Sequence, residues 1–168
     1  MGIITISRGS YSRGKEIAEK LSKKLGYQCI SREVLLKASK DFNVPEVKLL
    51  QAIQDAPSVL DRLKHGKKKY IAFIRKAFLE RIQNDNVIYH GLAGQFFTRE
   101  IPNILKVRIT ADLDFRINVV MKRENVSEEK ARQIIIKLMR KEADGVCSFM
   151  VLMQKILNCM ILFCIFII

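Results

Sequence analysis

The chain lacks any pairing pattern among its cysteines. Four are present, Cys29, Cys147, Cys159 and Cys164, and none falls in a C-x-x-C pair. Neither a zinc site nor a disulfide framework is indicated. Residues 1–15 lack the long apolar run of a secretory signal, so the expected compartment is a reducing cytoplasm. There is no internal repeat and no aromatic–basic segment of the RNA-binding kind. Acidic residues are in short supply: 17 Asp+Glu stand against 30 Lys+Arg, a formal charge of +13. Such an excess attracts phosphates, whether of nucleotides, nucleic acid or anionic lipid. The cations are scattered through helical patterns that are also rich in Glu, so nucleic acid is not the expected partner.

What is present is a globular composition. At 168 residues and 49% apolar, the chain fits one domain with a sizeable core. "GIITIS" is a short β-branched run and reads as a buried strand. In "GKEIAEKLSKKLG", Ile17, Leu21 and Leu25 recur at helical spacing and Gly26 is a stop signal. Residues 32–84 read as several helices, punctuated at Pro45, Pro57 and Gly66. "NVIYHG" and "ILKVRIT" read as a second and a third strand. Helical patterns follow over 112–123 and 127–142, the latter opening at Ser127. Strands separated by helices predict an α/β fold with a parallel sheet.

Between the first strand and the first helix lies "GSYSRGKE". It departs from the phosphate-loop pattern G-x-x-x-x-G-K-[ST] only at Glu16. Such a loop works because small residues let backbone N–H groups converge on an anion, while the helix N-terminus adds partial positive charge. Gly9 and Gly14 would supply the turns, with Ser10, Tyr11, Ser12 and Arg13 between them. Lys15 would reach the outer phosphates. Glu16 stands where the usual hydroxyl meets Mg²⁺. Its carboxylate would ligate the metal directly, or cap the helix and leave the metal to water and phosphates. No side chain is assigned as a metal ligand. The alternative reading of the whole stretch is a helix N-terminus with a solvated basic turn.

Taken together, "ITISRGSYSRGKEIAEKLSKKLGY", "SREVLL", "DAPSVLDR", "VIYHGLAGQFF", "LKVRITADLDFRINVVMKREN" and "SEEKARQIIIK" resemble the cytidylate kinase-like family of P-loop nucleoside monophosphate kinases. The resemblance covers residues 3–144. Many relatives carry Gly-Ser-Gly-Gly ahead of the helix, and "SRGSYSRGKE" looks like a variant branch. The resemblance implies a P-loop kinase fold and transfer of the ATP γ-phosphoryl group to CMP or dCMP, with Mg²⁺. It implies that Gly9 to Lys15 hold ATP phosphates, with Arg8 close by at the strand end. It places Arg32, Asp55 and Arg62 in a helical insert, about 32–85, that binds the monophosphate. An arginine there would clamp the acceptor phosphate, and a carboxylate would accept from the cytosine amino group. Arg108, Arg116, His90 and Gly91 are further candidates for lining the site. Each has another reading: Arg32 balances helix charge with Glu33, Asp55 is a turn residue before Ala-Pro, and His90 is a packed strand-end histidine. His65 and "GKKK" read as a solvated loop.

After Asp144 the character changes. Residues 145–168 contain one charge, Lys155, so residues 1–144 carry +12. The 13 residues after Lys155 are apolar except Asn158. That is short of the roughly 20 residues of a membrane span. Relatives continue instead with a charged, arginine-bearing lid and a last core strand. Read one nucleotide out of frame, Met150–Val151 must encode Gly, Met153–Gln154 Ala, Asn158–Cys159 Leu, and Met160–Ile161 Asp. Permitted choices elsewhere yield "FHGVDAKDSELYDLVLHIHN", a segment of the missing type. The expectation is therefore a kinase-like domain over 1–144 and a frameshifted apolar tail over 145–168. Membrane contact is expected only if the tail is genuine. Loss of the lid predicts impaired turnover, with nucleotide or phosphate binding without catalysis as the alternative.

Overall fold

The computed structural model describes residues 2–54, 66–157 and 166–167. Asp55, Arg62, Pro57 and His65 lie outside the described residues.

The predicted strand and helix at the start form as β1 (Ile3–Arg8) and α1 (Gly14–Leu25). α1 stops at Gly26, whose φ of 68° is the left-handed conformation that favours glycine. β2 (Gln28–Ile30) follows, then three helices: α2 (Glu33–Phe42), α3 (Glu46–Gln54) and α4 (Gly66–Ile82). β3 (Val87–His90), α5 (Gly94–Phe97), β4 (Ile104–Thr110), α6 (Leu113–Glu124), α7 (Glu128–Leu157) and β5 (Phe166–Ile167) complete the order.

The sheet has the order β2-β3-β1-β4-β5, and its pairs are parallel. β1 is central, with Ile3 opposite both Val87 and Ile104. Because side chains alternate along a strand, the two faces of the sheet have separate cores. Ile3, Val87, Tyr89 and Ile104 pack with α4 and α5, including the fully buried Phe78 and Phe97. Ile4, Ile6, Ile88, Val107 and Ile109 pack with Ala18 and Leu21 of α1. Each large side chain so buried contributes about 1.5–3 kcal/mol. A third cluster joins Ile117 and Val120 of α6 to Ala131 and Ile135 of α7. Parallel strands bring the C-terminal ends of β1, β3 and β4 to one edge, where ligands of α/β folds bind.

Two differences from the sequence reading concern the tail. α7 does not end near residue 142 but continues through Gly145 to Leu157. One glycine costs a helix about 1 kcal/mol, and no proline follows to force a stop. The tail then returns to the sheet. Phe166 and Ile167 pair with Ile109 and Thr110 as β5, beside β4. Among the described residues, no helix is long and apolar enough to cross a membrane.

Candidate functional site

The segment between β1 and α1 is neither strand nor helix. Tyr11 has φ 60° and Arg13 has φ 55°, so the chain turns twice through the left-handed region. Ser12 fixes the first turn, its amide and its buried hydroxyl both donating to Gly9 O, at 3.3 and 2.7 Å. Gly9 N–H is anchored on Ile109 O of β4 at 3.0 Å. Gly14 is required by packing: a β-carbon there would lie 2.7 Å from Arg8 Cβ.

The first backbone bond of α1 runs from Ile17 N–H to Arg13 O at 3.2 Å, and no side chain caps the helix. The N–H groups of Gly14, Lys15 and Glu16 are therefore without intrahelical partners. Together with the helix dipole they suit an oxyanion. The loop already holds one. Ser10 N–H donates to Glu142 Oε1 at 2.7 Å, and the Ser10 hydroxyl donates to the same oxygen. Nothing in the sequence marked Glu142: it lies 132 residues from Ser10, in a run of Lys and Arg on α7.

Arg116 is brought to the loop. The residue is buried at 5% exposure, and its Nε–H donates to Ser10 O at 2.8 Å. Its Nη2 is buried without a partner. Arg8 is exposed at the strand end and lies over Gly14. Lys15 is 64% exposed and 3.7 Å from Glu19. Glu16 is turned to Arg13, 3.7 Å away, and makes no cap bond. Tyr11 points away from the loop. Its hydroxyl donates to Glu124 at 3.2 Å, and the Arg123 guanidinium lies 5.7 Å from its ring centroid. Burial, then the Glu124 hydrogen bond, raise its pKa.

His90 ends β3 and is buried with Nδ1 unpaired. Burial, then the nearby Arg8 charge, lower its pKa, so it is neutral near pH 7. Gly91 has a packing role: a β-carbon there would stand 2.5 Å from Tyr89 Oη, which donates to Leu92 O. Arg108 is half-buried on β4 opposite Ser7 of β1. Arg32 is engaged by α3. Its guanidinium makes two bonds to Glu46, at 2.6 and 2.8 Å, while Glu33 accepts from Ser31 N–H. The charge balance expected between Arg32 and Glu33 is thus replaced by a forked pair with α3. The structure gathers Arg8, Ser10, Lys15, His90 and Arg116 around the C-terminal ends of the strands, and Arg32 follows the end of β2 on that same edge, engaged by Glu46. An open cavity of about 450 Å³ lies along α7, between Gln133 and Asp144, and not at the loop.

Two solved structures are similar to this arrangement. An uncharacterized protein from Eubacterium ventriosum matches 83% of this chain and 72% of its own, at 24% identity and a TM-score of 0.56. The shikimate kinase of Bacteroides thetaiotaomicron matches 94% and 99%, at 12% identity and a TM-score of 0.52. At these identities the likeness carries the fold. No curated protein matches the chain. The model of the cytidylate kinase-like family matches residues 3–149, which takes in the loop, β1 to β4 and Arg116: the chain belongs to that family and has the fold of a P-loop kinase.

Proposed function

We propose that the chain binds ATP through Gly9–Glu16 and descends from an enzyme that phosphorylates CMP or dCMP. The observation that carries this reading is the capture of a carboxylate by the amide and hydroxyl of Ser10, beside three helix amides without intrahelical partners. An oxyanion held this way is what a polyphosphate offers. ATP would supply the transferable phosphoryl group and Mg²⁺ would neutralise developing charge. The chain's own part is positioning. The loop amides and Ser10 would hold phosphate oxygens, and Lys15 and Arg8 would swing onto the outer ones. Arg116 would fix the loop's shape through Ser10 O. Mg²⁺ needs only one or two protein ligands beside phosphate and water. Glu16, at the head of α1, is the carboxylate at hand. Arg32, Asp55 and Arg62 of the insert, with Arg108, would meet the acceptor.

Turnover is expected to be poor. Residues 145–157 extend α7 and 166–167 form β5, where the family would carry an arginine lid and a last strand. We place the kinase-like domain over 1–144 and a frameshifted tail after it; the family match ends at residue 149, five residues beyond that boundary. A second reading, phosphate or nucleotide binding without catalysis, is favoured by the same substitution of the lid.

The test is CDP formation from ATP and CMP. It compares this chain with one whose residues 149–168 are replaced by the in-frame sequence. Turnover by the replaced chain alone is the expected outcome. No turnover by either, with no ATP protection in a thermal melt, would assign the loop another role.

A further inference from the structure

We propose that Glu142 is an internal ligand of the loop: it holds the place of a phosphate oxygen, and an incoming polyphosphate must displace it. The inference rests on the reading of Gly9–Glu16 as a phosphate site.

The geometry is specific. One carboxylate oxygen takes both polar hydrogens of Ser10, and the other lies toward Gly9, 3.9 Å from where a β-carbon would be. Ser10 is clamped from its carbonyl side by Arg116 at 2.8 Å, so its N–H is held in place for an acceptor. Glu142 is half-buried, and among the described residues it forms no salt bridge. The other acids of the region are committed otherwise, Glu16 to Arg13 and Glu19 to Lys15. In a chain of charge +13, then, one carboxylate has found backbone and hydroxyl donors rather than a cation.

An intramolecular carboxylate competes at an effective concentration in the millimolar range or above. A ligand that needs Ser10 binds only the fraction of molecules in which Glu142 has left, so its apparent affinity falls in proportion. Once displaced, Glu142 stays tethered near the bound phosphates and repels them. Release also frees one contact that ties α7 to the loop. The occupancy of the nucleotide site is thereby coupled to α7, the helix that leads into the tail.

The test measures binding of MgATP and of inorganic tripolyphosphate to the full chain and to Glu142→Ala, Glu142→Gln and Lys15→Ala. Removing a charge-assisted acceptor is expected to tighten both ligands by about 10-fold or more in Glu142→Ala, and by less in Glu142→Gln, which keeps an acceptor oxygen. Unchanged or weaker binding by Glu142→Ala, with Lys15→Ala still deficient, overturns the internal ligand and leaves the phosphate site standing. Absence of binding by the full chain and by Glu142→Ala overturns both. A second measurement needs no Glu142 variant. In the full chain, ATP is expected to speed tryptic cleavage after Arg140 and Lys141 as α7 lets go. Cleavage that is unchanged or slowed at saturating ATP overturns the proposal.

Discussion

Arg8 lies across the α-carbon of Gly14 so closely that a β-carbon there would stand 2.7 Å from Arg8 Cβ and 3.2 Å from Cδ. The contact joins the last residue of β1 to the first of α1, and so sets how sharply the loop closes. Cβ of Arg8 cannot move without moving the strand. Gly14→Ala is therefore expected to destabilise the fold by about 1–3 kcal/mol and to open the loop. Urea unfolding reads the first effect and ATP titration the second.

Lys15 gives the opposite pattern. It is 64% exposed and paired only loosely with Glu19. Exposed substitutions of this kind fall within about 0.5 kcal/mol of neutral. Lys15→Ala should unfold at the same urea concentration as the parent chain yet lose ATP binding. Calorimetry on both chains checks it.

Arg116 carries a buried Nη2 that finds no partner. An unpaired buried polar group is a burden on the free protein. Arg116→Met keeps most of the apolar bulk and removes that burden, at the expense of the bond to Ser10 O. The expected result is stability within about 1.5 kcal/mol of the parent with ATP affinity lowered about 10-fold, the loss expected for one bond to a charged group. A melt and a binding isotherm on one preparation separate the two.

His90 predicts a pH dependence. Burial, reinforced by Arg8 and Lys15 and partly opposed by Glu19 and Glu33, holds its pKa below the ordinary 6.5. The unfolded chain takes up a proton near pH 6.5 while the folded chain still refuses it. Its contribution to stability is thus complete above pH 6.5 and is lost as pH falls from there through the folded value. The slope is at most about 1.4 kcal/mol per pH unit. His90→Gln should flatten urea midpoints measured between pH 7.5 and 5, relative to the parent chain.

The parts of this molecule that were legible in its sequence are those with a strong local pattern. β1, β3 and β4 announced themselves as β-branched runs, and α1 through Ile17, Leu21, Leu25 and Gly26. β2 was missed because three residues, Gln28 to Ile30, offer no period to read. α5 was missed because four residues, Gly94 to Phe97, are too few to show a helical period. The small size of Gly91 and Gly94 makes room for the Tyr89 side chain, 2.5 Å from where either β-carbon would sit. The loop was visible from spacing alone. Its occupant was not, since no local rule links Ser10 to an acid on the far side of the chain. Arg116 was named on the family resemblance, and only the fold turns it toward Ser10. For Arg32, by contrast, no local signal disclosed its partner, Glu46.

The bond from Gly9 N–H to Ile109 O carries a lesson about the order of assembly. The first fourteen residues leave the ribosome early, but the carbonyl that sets their curvature arrives a hundred residues later, and Arg116 and Glu142 later still. Contacts of such long range form slowly, after much chain has been organised. Nucleotide binding should therefore be a late event in folding, and a growing chain cut short before β4 should not make the site.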